Sequence, residues 1–271
     1  MNYVVYSHTD FEDILEVQTD YLQDTRDKFL FINRSNLTLN LKRIYSNYRD
    51  VLYYDDSQPY ASRLIHCLEK LKQKHDVAYC LFTHDVDIVL HRDQGLLDNC
   101  LNIMKDRKIH RIDLQLDLNP GNDSQQLINL NTLQVDEQLR RGYSYIRKDV
   151  AGDYAYNVNP SIYQIQYFIE LLKVDKNLGY RQIESDSRVQ HYAKDVVKVH
   201  KLKAPDGESV QCGYFYCLPF YLFLHITHGG KLVPTHRDDA FFKKQPHYDV
   251  REEYGKILDK YNLSSKRTHS E

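Results

Sequence analysis

Residues 79–92 read Y-C-L-F-T-H-D-V-D-I-V-L-H-R, an apolar run that leads into two aspartates one residue apart, Asp85 and Asp87. A short apolar run is typical of a buried parallel strand, and open α/β sheets bind ligands at the ends of such strands. Two carboxylates there form an oxygen-rich site, which suits Mg²⁺ or Mn²⁺ bridged to a phosphate-bearing ligand. For so short a motif, a strand end with two solvated aspartates is the alternative.

The composition indicates an ordinary globular protein. Of the 271 residues, 42% are hydrophobic and 27% are charged, and the formal net charge of −2 argues against a nucleic-acid partner. No apolar stretch is long enough for a membrane span, and the N-terminus lacks the features of a signal peptide. The five scattered cysteines are typical of reduced thiols. We therefore expect a soluble, cytoplasmic protein, whose oligomeric state the sequence leaves open.

The first half of the chain alternates between apolar runs and segments with helical spacing of apolar residues. Strands are predicted at residues 3–7, 28–33 and 50–54 and in the run that leads to the two aspartates, and helices at residues 11–22, at 37–48 and after Pro59. Strands that alternate with helices of this length imply right-handed β-α-β units. The first half is therefore predicted to form a parallel, Rossmann-like half-sheet.

The second half has a less regular pattern. Strands are predicted at residues 111–116, 143–147, 154–158, 180–183 and 196–202, and helices at 96–104, at 161–174 with Pro160 at the start, and from 187 to 193. Residues 119–125 are rich in turn-forming residues. The polar end of the chain, from Ser264, is expected to fray.

The chain resembles a known family in three features: the parallel half-sheet, the segment Y-A-S-R-L at residues 60–64, and the D-V-D at the end of the next strand. Together they resemble the GT-A fold of nucleotide-sugar glycosyltransferases, over about residues 3–231. Within that class the chain is similar to the compact soluble glycosyltransferases that large DNA viruses encode for capsid glycans. The resemblance implies an α/β fold with a Rossmann-like nucleotide-binding half-sheet, helices on both faces and a mixed acceptor-side half.

The same resemblance implies a division of the chain. A single GT-A-like catalytic domain is expected over residues 1–263. Its nucleotide-binding half covers about residues 1–92 and its acceptor half residues 93–263. Residues 264–271 then form a polar tail.

In this family the acidic pair holds a divalent cation, Mn²⁺ or Mg²⁺, on the diphosphate of the donor. The resemblance makes Asp87 the principal metal ligand and places Asp85 at the ribose or at the water shell of the metal. A late histidine often joins the same metal, a role that His228 matches, and Lys231 could reach the phosphates as a point charge. Between them, Gly229 and its neighbouring glycine would allow close approach of the backbone. The alternative for His228 is a loop histidine without a partner.

The nucleotide of such a donor would lie across the ends of the first strands. Three polar residues are placed there to hold the base and ribose: Ser7, Thr9 and Asp10. Arg63, one turn into its helix, could reach the pyrophosphate or support Asp85. The alternative for Arg63 is a surface salt bridge with Glu69 or a neighbour.

Inverting sugar transfer also needs a general base, because the acceptor hydroxyl loses its proton as it attacks. Enzymes of the family place this carboxylate on the acceptor side, after the central strands and near the start of a helix. Glu184 and Asp186 lie at such a place, and Asp153 is the next candidate. The alternative for Asp186 is structural, because an acid in the first turn of a helix stabilises the helix dipole.

The function expected from the resemblance is metal-assisted transfer of a hexosyl or pentosyl group from a nucleotide-sugar donor, UDP rather than GDP, to a glycan or glycosylated acceptor. We expect the inverting mechanism. A nucleotidyltransferase is the strongest alternative, but it usually has a glycine-rich, basic loop after the first strand, whereas this chain has S-H-T-D. A metal-dependent phosphohydrolase or nuclease that uses His84 with the two aspartates would need these residues on helices. A non-enzymatic binding module would need no metal cluster.

Overall fold

The computed structural model describes residues 1–34, 36–114, 143–148, 156–193, 196–201, 215–218, 221–233 and 250–269. The strands within these residues, β1 to β13, are Tyr3–Tyr6, Lys28–Asn33, Asp50–Tyr54, Tyr79–His84, Asp87–Arg92, Arg111–Asp113, Tyr143–Lys148, Ser161–Gln164, Val196–Lys201, Phe215–Leu218, Tyr221–His225, Thr227–His228 and Lys231–Leu232. The helices, α1 to α9, are Glu12–Tyr21, Leu39–Tyr45, Tyr60–His75, Gln94–Arg107, Ile165–Lys173, Tyr180–Ile183, Ser187–Tyr192, Val250–Lys260 and Leu263–Lys266, and a 3₁₀ turn at Thr9–Phe11 precedes α1.

Eight strands form the central sheet, in the order β3-β2-β1-β4-β8-β6-β9-β7. The first four are parallel to one another, β8 runs antiparallel to both β4 and β6, and β9 is parallel to β6 and antiparallel to β7. A parallel half-sheet therefore adjoins a mixed half. This confirms the fold class expected from the sequence.

Helices cover both faces of the parallel half. Alternate residues of β1 belong to different cores: Val4 packs in the cluster that contains α3 and α5, and Val5 packs in the cluster that contains parts of α1, α2 and α4. Every residue of β1 and β2 is buried. Burial on both faces is the reason that these strands read as continuous apolar runs without alternation.

The D-V-D motif marks the place where the chain leaves the central sheet. Strand β4 ends at His84, and β5 begins at Asp87 in a separate antiparallel sheet of order β10-β11-β5. This second sheet packs on α1 and α8 through a third apolar cluster, to which Ile14 of α1, Ile88 of β5 and Ile257 of α8 belong. The motif therefore spans the connection between two sheets: Asp85 lies in the turn, and Asp87 is the first residue of β5.

Two predictions in the second half were wrong. Residues 161–164, predicted as the first turn of a helix, form strand β8, and the helix begins at Ile165. The reason is pairing: Ile162 lies opposite both Leu81 and Ile112, so β8 fills the position between β4 and β6. Residues 180–183, predicted as a strand, form the short helix α6. Gly179 is its N-cap, and the Gly179 amide donates a hydrogen bond to the Gln182 side chain.

Two further expectations differ from the structure. Within the predicted strand at 154–158, the described residues 156–158 form no strand. The tail does not fray between residues 264 and 269, because α9 covers Leu263–Lys266 and His269 forms a parallel bridge with Leu232. The loop predicted at 119–125 lies outside the described residues. Among the described residues, no helix is long and apolar enough to cross a membrane.

Candidate functional site

Asp85 is the first carboxylate of the motif and lies directly after β4. Its side chain is buried, and its Oδ2 accepts a hydrogen bond of 2.5 Å from the Ser7 hydroxyl. The Asp85 amide donates to the carbonyl of Tyr6 at 2.9 Å, which continues the pairing of β4 with β1. Burial raises the pKa of Asp85 from 3.8 to about 7, and the Ser7 hydrogen bond opposes this rise. A cation next to Asp85 would favour its charged form.

Asp87, the second carboxylate, is buried at the start of β5. Its Oδ1 is 2.7 Å from Nδ1 of His225, the last residue of β11. The Gln18 side chain of α1 holds the backbone here, because it donates to the Asp87 carbonyl at 2.9 Å and accepts from the Val89 amide at 3.0 Å. Burial lowers the pKa of His225, but the hydrogen bond and charge of Asp87 outweigh it, so the pKa is raised.

His84 is the last residue of β4, directly before the motif, and is also buried. Its Nε2 is 2.8 Å from the Tyr60 hydroxyl, and its Nδ1 is 4.0 Å from Asp87 Oδ2. Burial lowers the pKa of His84 to about 4, so the imidazole is neutral near pH 7. Among the described residues, Nδ1 of His84 has no hydrogen-bond partner. A buried polar atom of this kind is uncommon and is typically explained by a water molecule or an ion.

These residues fit a divalent cation only as a partial shell. In the described part of the chain, no three His, Cys, Asp or Glu side chains form a group that could hold a metal ion. Mg²⁺ and similar hard cations usually take one or two protein carboxylates and complete their shell with water and substrate phosphates. Asp85 and Asp87 are two carboxylates of this kind. The donor set therefore suits a cation that arrives with a phosphate ligand.

The late glycine pair forms the turn of a small hairpin, residues 227–232, which we call the late hairpin. Gly229 and Gly230 have φ values of 59° and 80°, as the type I′ turn between two short strands requires. The amide of Ile226, the residue before the hairpin, donates to the Val86 carbonyl at 2.8 Å. This hydrogen bond joins the start of the hairpin to the D-V-D turn. The exposed His228 ring lies 6.3 Å from the ring of His225. The late hairpin thus places His228 and Lys231 beside the motif.

The loop after β1 is held by a cluster of side chains around Asp56. Oδ2 of Asp56 accepts from His8 Nε2 and from Asn33 Nδ2, each at 2.8 Å. Asn33 also contacts Thr9, because its Oδ1 accepts from the Thr9 amide at 2.8 Å. These contacts join the carboxyl ends of β1, β2 and β3. Asp10, in the same loop, is exposed.

Arg63 contacts this cluster. Its Nη1 is 3.0 Å from Asp56 Oδ1, its Nε donates to the Gln58 carbonyl at 2.6 Å, and the guanidinium lies 5.3 Å from the centre of the Tyr54 ring. The salt bridge considered as the alternative for Arg63 is therefore present, with Asp56 as the partner; Glu69 pairs with Lys173 instead, at 2.7 Å. Arg63 therefore acts on the loop after β1 through Asp56 and has no described contact with the D-V-D turn.

Glu184 lies at the end of α6. Its Oε1 accepts a hydrogen bond of 2.6 Å from the Val158 amide. The side chain of Gln190 fixes the same segment, with hydrogen bonds of 2.8 Å to both the amide and the carbonyl of Tyr156. Burial raises the pKa of Glu184, against the Val158 hydrogen bond and the charge of Arg111, and the charges of Asp113 and Asp87 add smaller effects in the direction of burial.

Asp186 has a different environment. Its Oδ1 accepts from the amides of Arg188 and Val189 at 2.9 and 3.2 Å, so Asp186 is the N-cap of α7. The Arg188 guanidinium also pairs with it at 2.7 Å, and this pairing lowers the pKa of Asp186. Asp186 therefore has the structural role considered as its alternative, because it stabilises the start of a helix. Asp153, the third candidate, lies outside the described residues.

A buried ion pair supports the segment that contacts Glu184. Arg111 and Asp113 of β6 are fully buried, and Asn157 links them: Arg111 Nη2 donates to its Oδ1 at 2.6 Å, and its Nδ2 donates to Asp113 at 2.8 Å. The Arg111 guanidinium lies 5.2 and 5.3 Å from the ring centres of Tyr156 and Tyr163. Hydrogen bonds and the ring faces together compensate the cost of burying these charges.

Sequence reasoning missed His225 and Asp56. His225 follows the apolar run Y-L-F-L of β11 just as His84 and Asp85 follow that of β4, so a polar residue at the end of a strand was a signal. For Asp56 the sequence showed only that the residue lies in the turn-forming segment D-D-S after β3. Its three side-chain contacts are with residues of other elements of the chain. The sequence around Asp56 therefore could not predict them.

No protein-family model matches the chain, and no curated protein matches it. Solved structures are similar in fold. S. aureus TarS 1-349 has a TM-score of 0.43 and 12% identity over 74% of this chain and 60% of that one, so the match spans less than two thirds of the TarS chain. A cytidylyltransferase from Leptospira borgpetersenii has a TM-score of 0.39 and 7% identity, over 77% and 76% of the two chains.

A197 from STIV is similar as well, with a TM-score of 0.39 and 10% identity over 84% of this chain and 96% of that one. The similar structures include GT-A-like glycosyltransferases, as the sequence resemblance implied, and nucleotidyltransferases, the class considered as the alternative. With TM-scores below 0.5, the likeness concerns the general arrangement of the fold. Nothing about donor, acceptor or mechanism is taken from it.

Proposed function

We propose that the protein is a glycosyltransferase that moves a sugar from a nucleotide-diphosphate donor, with UDP as the expected nucleotide, to a glycan or glycosylated acceptor. One observation carries the proposal: two buried carboxylates, Asp85 and Asp87, lie one residue apart where the chain leaves the carboxyl edge of four parallel strands. Open α/β sheets bind ligands at this edge. Among the residues that the structure describes, neither carboxylate has a printed contact with Lys or Arg, and such a pair suits a cation that brings a diphosphate with it.

Asp85 and Asp87 would hold Mn²⁺ or Mg²⁺. When bound, the cation would neutralise the charge that builds up on the departing diphosphate. Ser7 orients Asp85, and His225 orients Asp87, through the hydrogen bonds of 2.5 and 2.7 Å. Each carboxylate thus has a partner that fixes its direction, as is usual for metal ligands.

The two loops beside the turn would supply the remaining contacts with the nucleotide-sugar donor. The loop after β1 offers Thr9 and Asp10 to the base and ribose, and the late hairpin offers His228 and Lys231 to the cation and phosphates. Arg63 supports the first loop through Asp56. Polar groups from two loops at the end of a parallel sheet would suit a long, polar ligand such as a nucleotide sugar.

Glu184 is the proposed general base of an inverting transfer. The acceptor oxygen forms a bond to the anomeric carbon, the bond from that carbon to the diphosphate oxygen breaks, the electron pair leaves with the diphosphate, and Glu184 takes the acceptor proton. A base works best when its pKa lies near the working pH, and burial raises the pKa of Glu184 in that direction. Its link to the Val158 amide holds the carboxylate in place.

Thermal unfolding with UDP, GDP and CTP, each with and without Mn²⁺, tests the donor site. We expect UDP with Mn²⁺ to stabilise the protein most. The reaction class is then tested by two assays: release of UDP from UDP-sugars with glycan acceptors, and release of pyrophosphate from UTP with sugar 1-phosphates. Pyrophosphate release would replace the proposal with a nucleotidyltransferase. Weak and equal stabilisation by all nucleotides, without an effect of Mn²⁺, would indicate a binding module.

A further inference from the structure

The late hairpin needs support from outside itself. Each of its strands has two residues, and a hairpin of this size is at best marginally stable alone. On one side, the Ile226 amide bonds to the carbonyl of Val86 in the D-V-D turn at 2.8 Å. On the other side, the Leu232 amide bonds to the Thr268 carbonyl at 2.8 Å. The C-terminal segment thus completes the support of the hairpin.

Arg267, the residue before Thr268, also contacts the loop after β1. Its Nη2 donates to the carbonyl of Asp10 at 2.8 Å, and its Nη1 donates to the carbonyl of Gly230 at 3.2 Å. Its guanidinium lies 4.7 Å from the centre of the Phe11 ring. One side chain, 12% exposed, therefore joins the backbones of the two loops that the proposed function assigns to the donor.

Asp13 fixes the plane of this guanidinium. Arg267 donates to the two carboxylate oxygens of Asp13 from Nε at 2.7 Å and from Nη2 at 2.6 Å. The planar guanidinium has five N–H donors in fixed directions, so a two-bond contact on one side determines where the remaining donors point. Here they point to the Asp10 and Gly230 carbonyls. A lysine, with a compact ammonium group, could not reproduce all of these bonds.

We propose that Arg267 is a positioning residue for donor binding. By joining Asp10 to Gly230, it sets the separation of the loop after β1 from the late hairpin before the donor arrives. Loops that are already ordered lose less conformational entropy on binding, so their contacts yield more affinity. This inference rests on the proposed function, and it adds the C-terminal segment to the donor site.

Calorimetric titration of the full chain with UDP in the presence of Mn²⁺ tests the proposal. Arg267→Ala should weaken UDP binding about tenfold or more, the scale of lost hydrogen bonds to a charged group. Arg267→Lys should recover little of this affinity. If Arg267→Ala does not fold, Asp13→Asn replaces it, because it removes the ion pair that orients the guanidinium and should weaken binding in the same direction.

Tyr261→Phe is the matched control. It removes the hydrogen bond of 2.7 Å from Tyr261 to Asp20, which ties the same end of the chain to α1 without touching either loop. It should lower the melting temperature and leave the affinity for UDP unchanged. Amide hydrogen exchange of the free protein should rise at both loops in Arg267→Ala and at neither in Tyr261→Phe.

The outcomes separate the two proposals. If the unchanged protein binds UDP and Arg267→Ala binds it equally well, the positioning role is wrong and the proposed donor site stands. If Tyr261→Phe weakens UDP binding as much as Arg267→Ala, the effect is general destabilisation and the positioning role is again wrong. If the unchanged protein does not bind UDP, both proposals are overturned.

Discussion

Asp87 Oδ1 and His225 Nδ1 lie 2.7 Å apart, although 138 positions separate the two residues in the chain. They are directly opposite each other in the register of β5 and β11. Both side chains are largely buried, and the pKa of His225 is raised because Asp87 outweighs the opposing effect of burial. The His225 imidazole thus fixes the orientation of the Asp87 carboxylate. The raised pKa of His225 favours the protonated imidazole.

Asp87→Ala should remove the Mn²⁺-dependent stabilisation by UDP and abolish sugar transfer, because the charge on the leaving diphosphate would go uncompensated. The fold should persist, since the motif lies at a turn between sheets. Circular dichroism, thermal unfolding and UDP release from the donor measure these effects. Asp106→Ala, which changes an exposed aspartate of α4, is the control and should behave as the unchanged protein. Full activity of Asp87→Ala would exclude the metal assignment, whereas full activity in excess EDTA would revise the cofactor alone.

His225→Phe should weaken Mn²⁺ binding about 10- to 100-fold, the usual effect of losing a group that orients a metal ligand. The measurement is the Mn²⁺ concentration that gives half of the UDP-dependent thermal shift. His225→Gln should recover part of the affinity, because its amide can still donate to Asp87. His191→Ala changes an exposed histidine of α7 and should have no effect. Equal Mn²⁺ affinity in His225→Phe and the unchanged protein would contradict the prediction.

Glu184→Gln and Asp186→Ala should affect different properties. The amide oxygen of Gln can still accept from Val158, so Glu184→Gln should fold and bind UDP normally while turnover falls about 100- to 10,000-fold, as expected for a lost general base. Asp186→Ala removes the N-cap of α7 and should cost about 1 kcal/mol of unfolding free energy with turnover nearly unchanged. Turnover kinetics and urea unfolding measure the two effects. Near-normal turnover in Glu184→Gln, or retention of the anomeric configuration by NMR, would show that Glu184 is not the base.

Asp50→Asn should destabilise the protein in a pH-dependent way. Burial raises the pKa of Asp50, but hydrogen bonds from His75 and Lys74, each 2.7 Å long, outweigh it, so the net pKa is lowered. The stabilisation is therefore complete above the pKa of an unfolded aspartate, about 3.9, and is lost as the pH falls through the lower folded value.

Urea unfolding between pH 7 and pH 3 measures this contribution. The loss in Asp50→Asn should be about 1 kcal/mol at pH 7, the scale of a net hydrogen bond, and should shrink as the pH falls below about 4. Asp76→Asn is the control, because Asp76 is exposed and has a φ of 52°, which asparagine also accepts. A loss in Asp50→Asn that is constant with pH would contradict the assignment.

The parallel half of the fold was predictable from local pattern. Strands β2 and β3 have the predicted bounds, Lys28–Asn33 and Asp50–Tyr54, because each is a short apolar run between helical segments. The second half was predicted less well. Residues 161–164 continue without a break into the apolar face of α5, and only their pairing with β4 and β6 makes them a strand. A short apolar run can be strand or helix, and its neighbours in space decide which.

The sequence by itself determined the position of the D-V-D motif at a strand end, and with it Asp85 and Asp87 as the centre of the candidate site. Tertiary structure alone decided their partners: Ser7 for Asp85, His225 for Asp87, and Arg267 for the two neighbouring loops. The physical reason is distance along the chain. Local periodicity reports which residues are buried, whereas a contact between distant residues depends on the register and packing of whole strands, which no short stretch of sequence encodes.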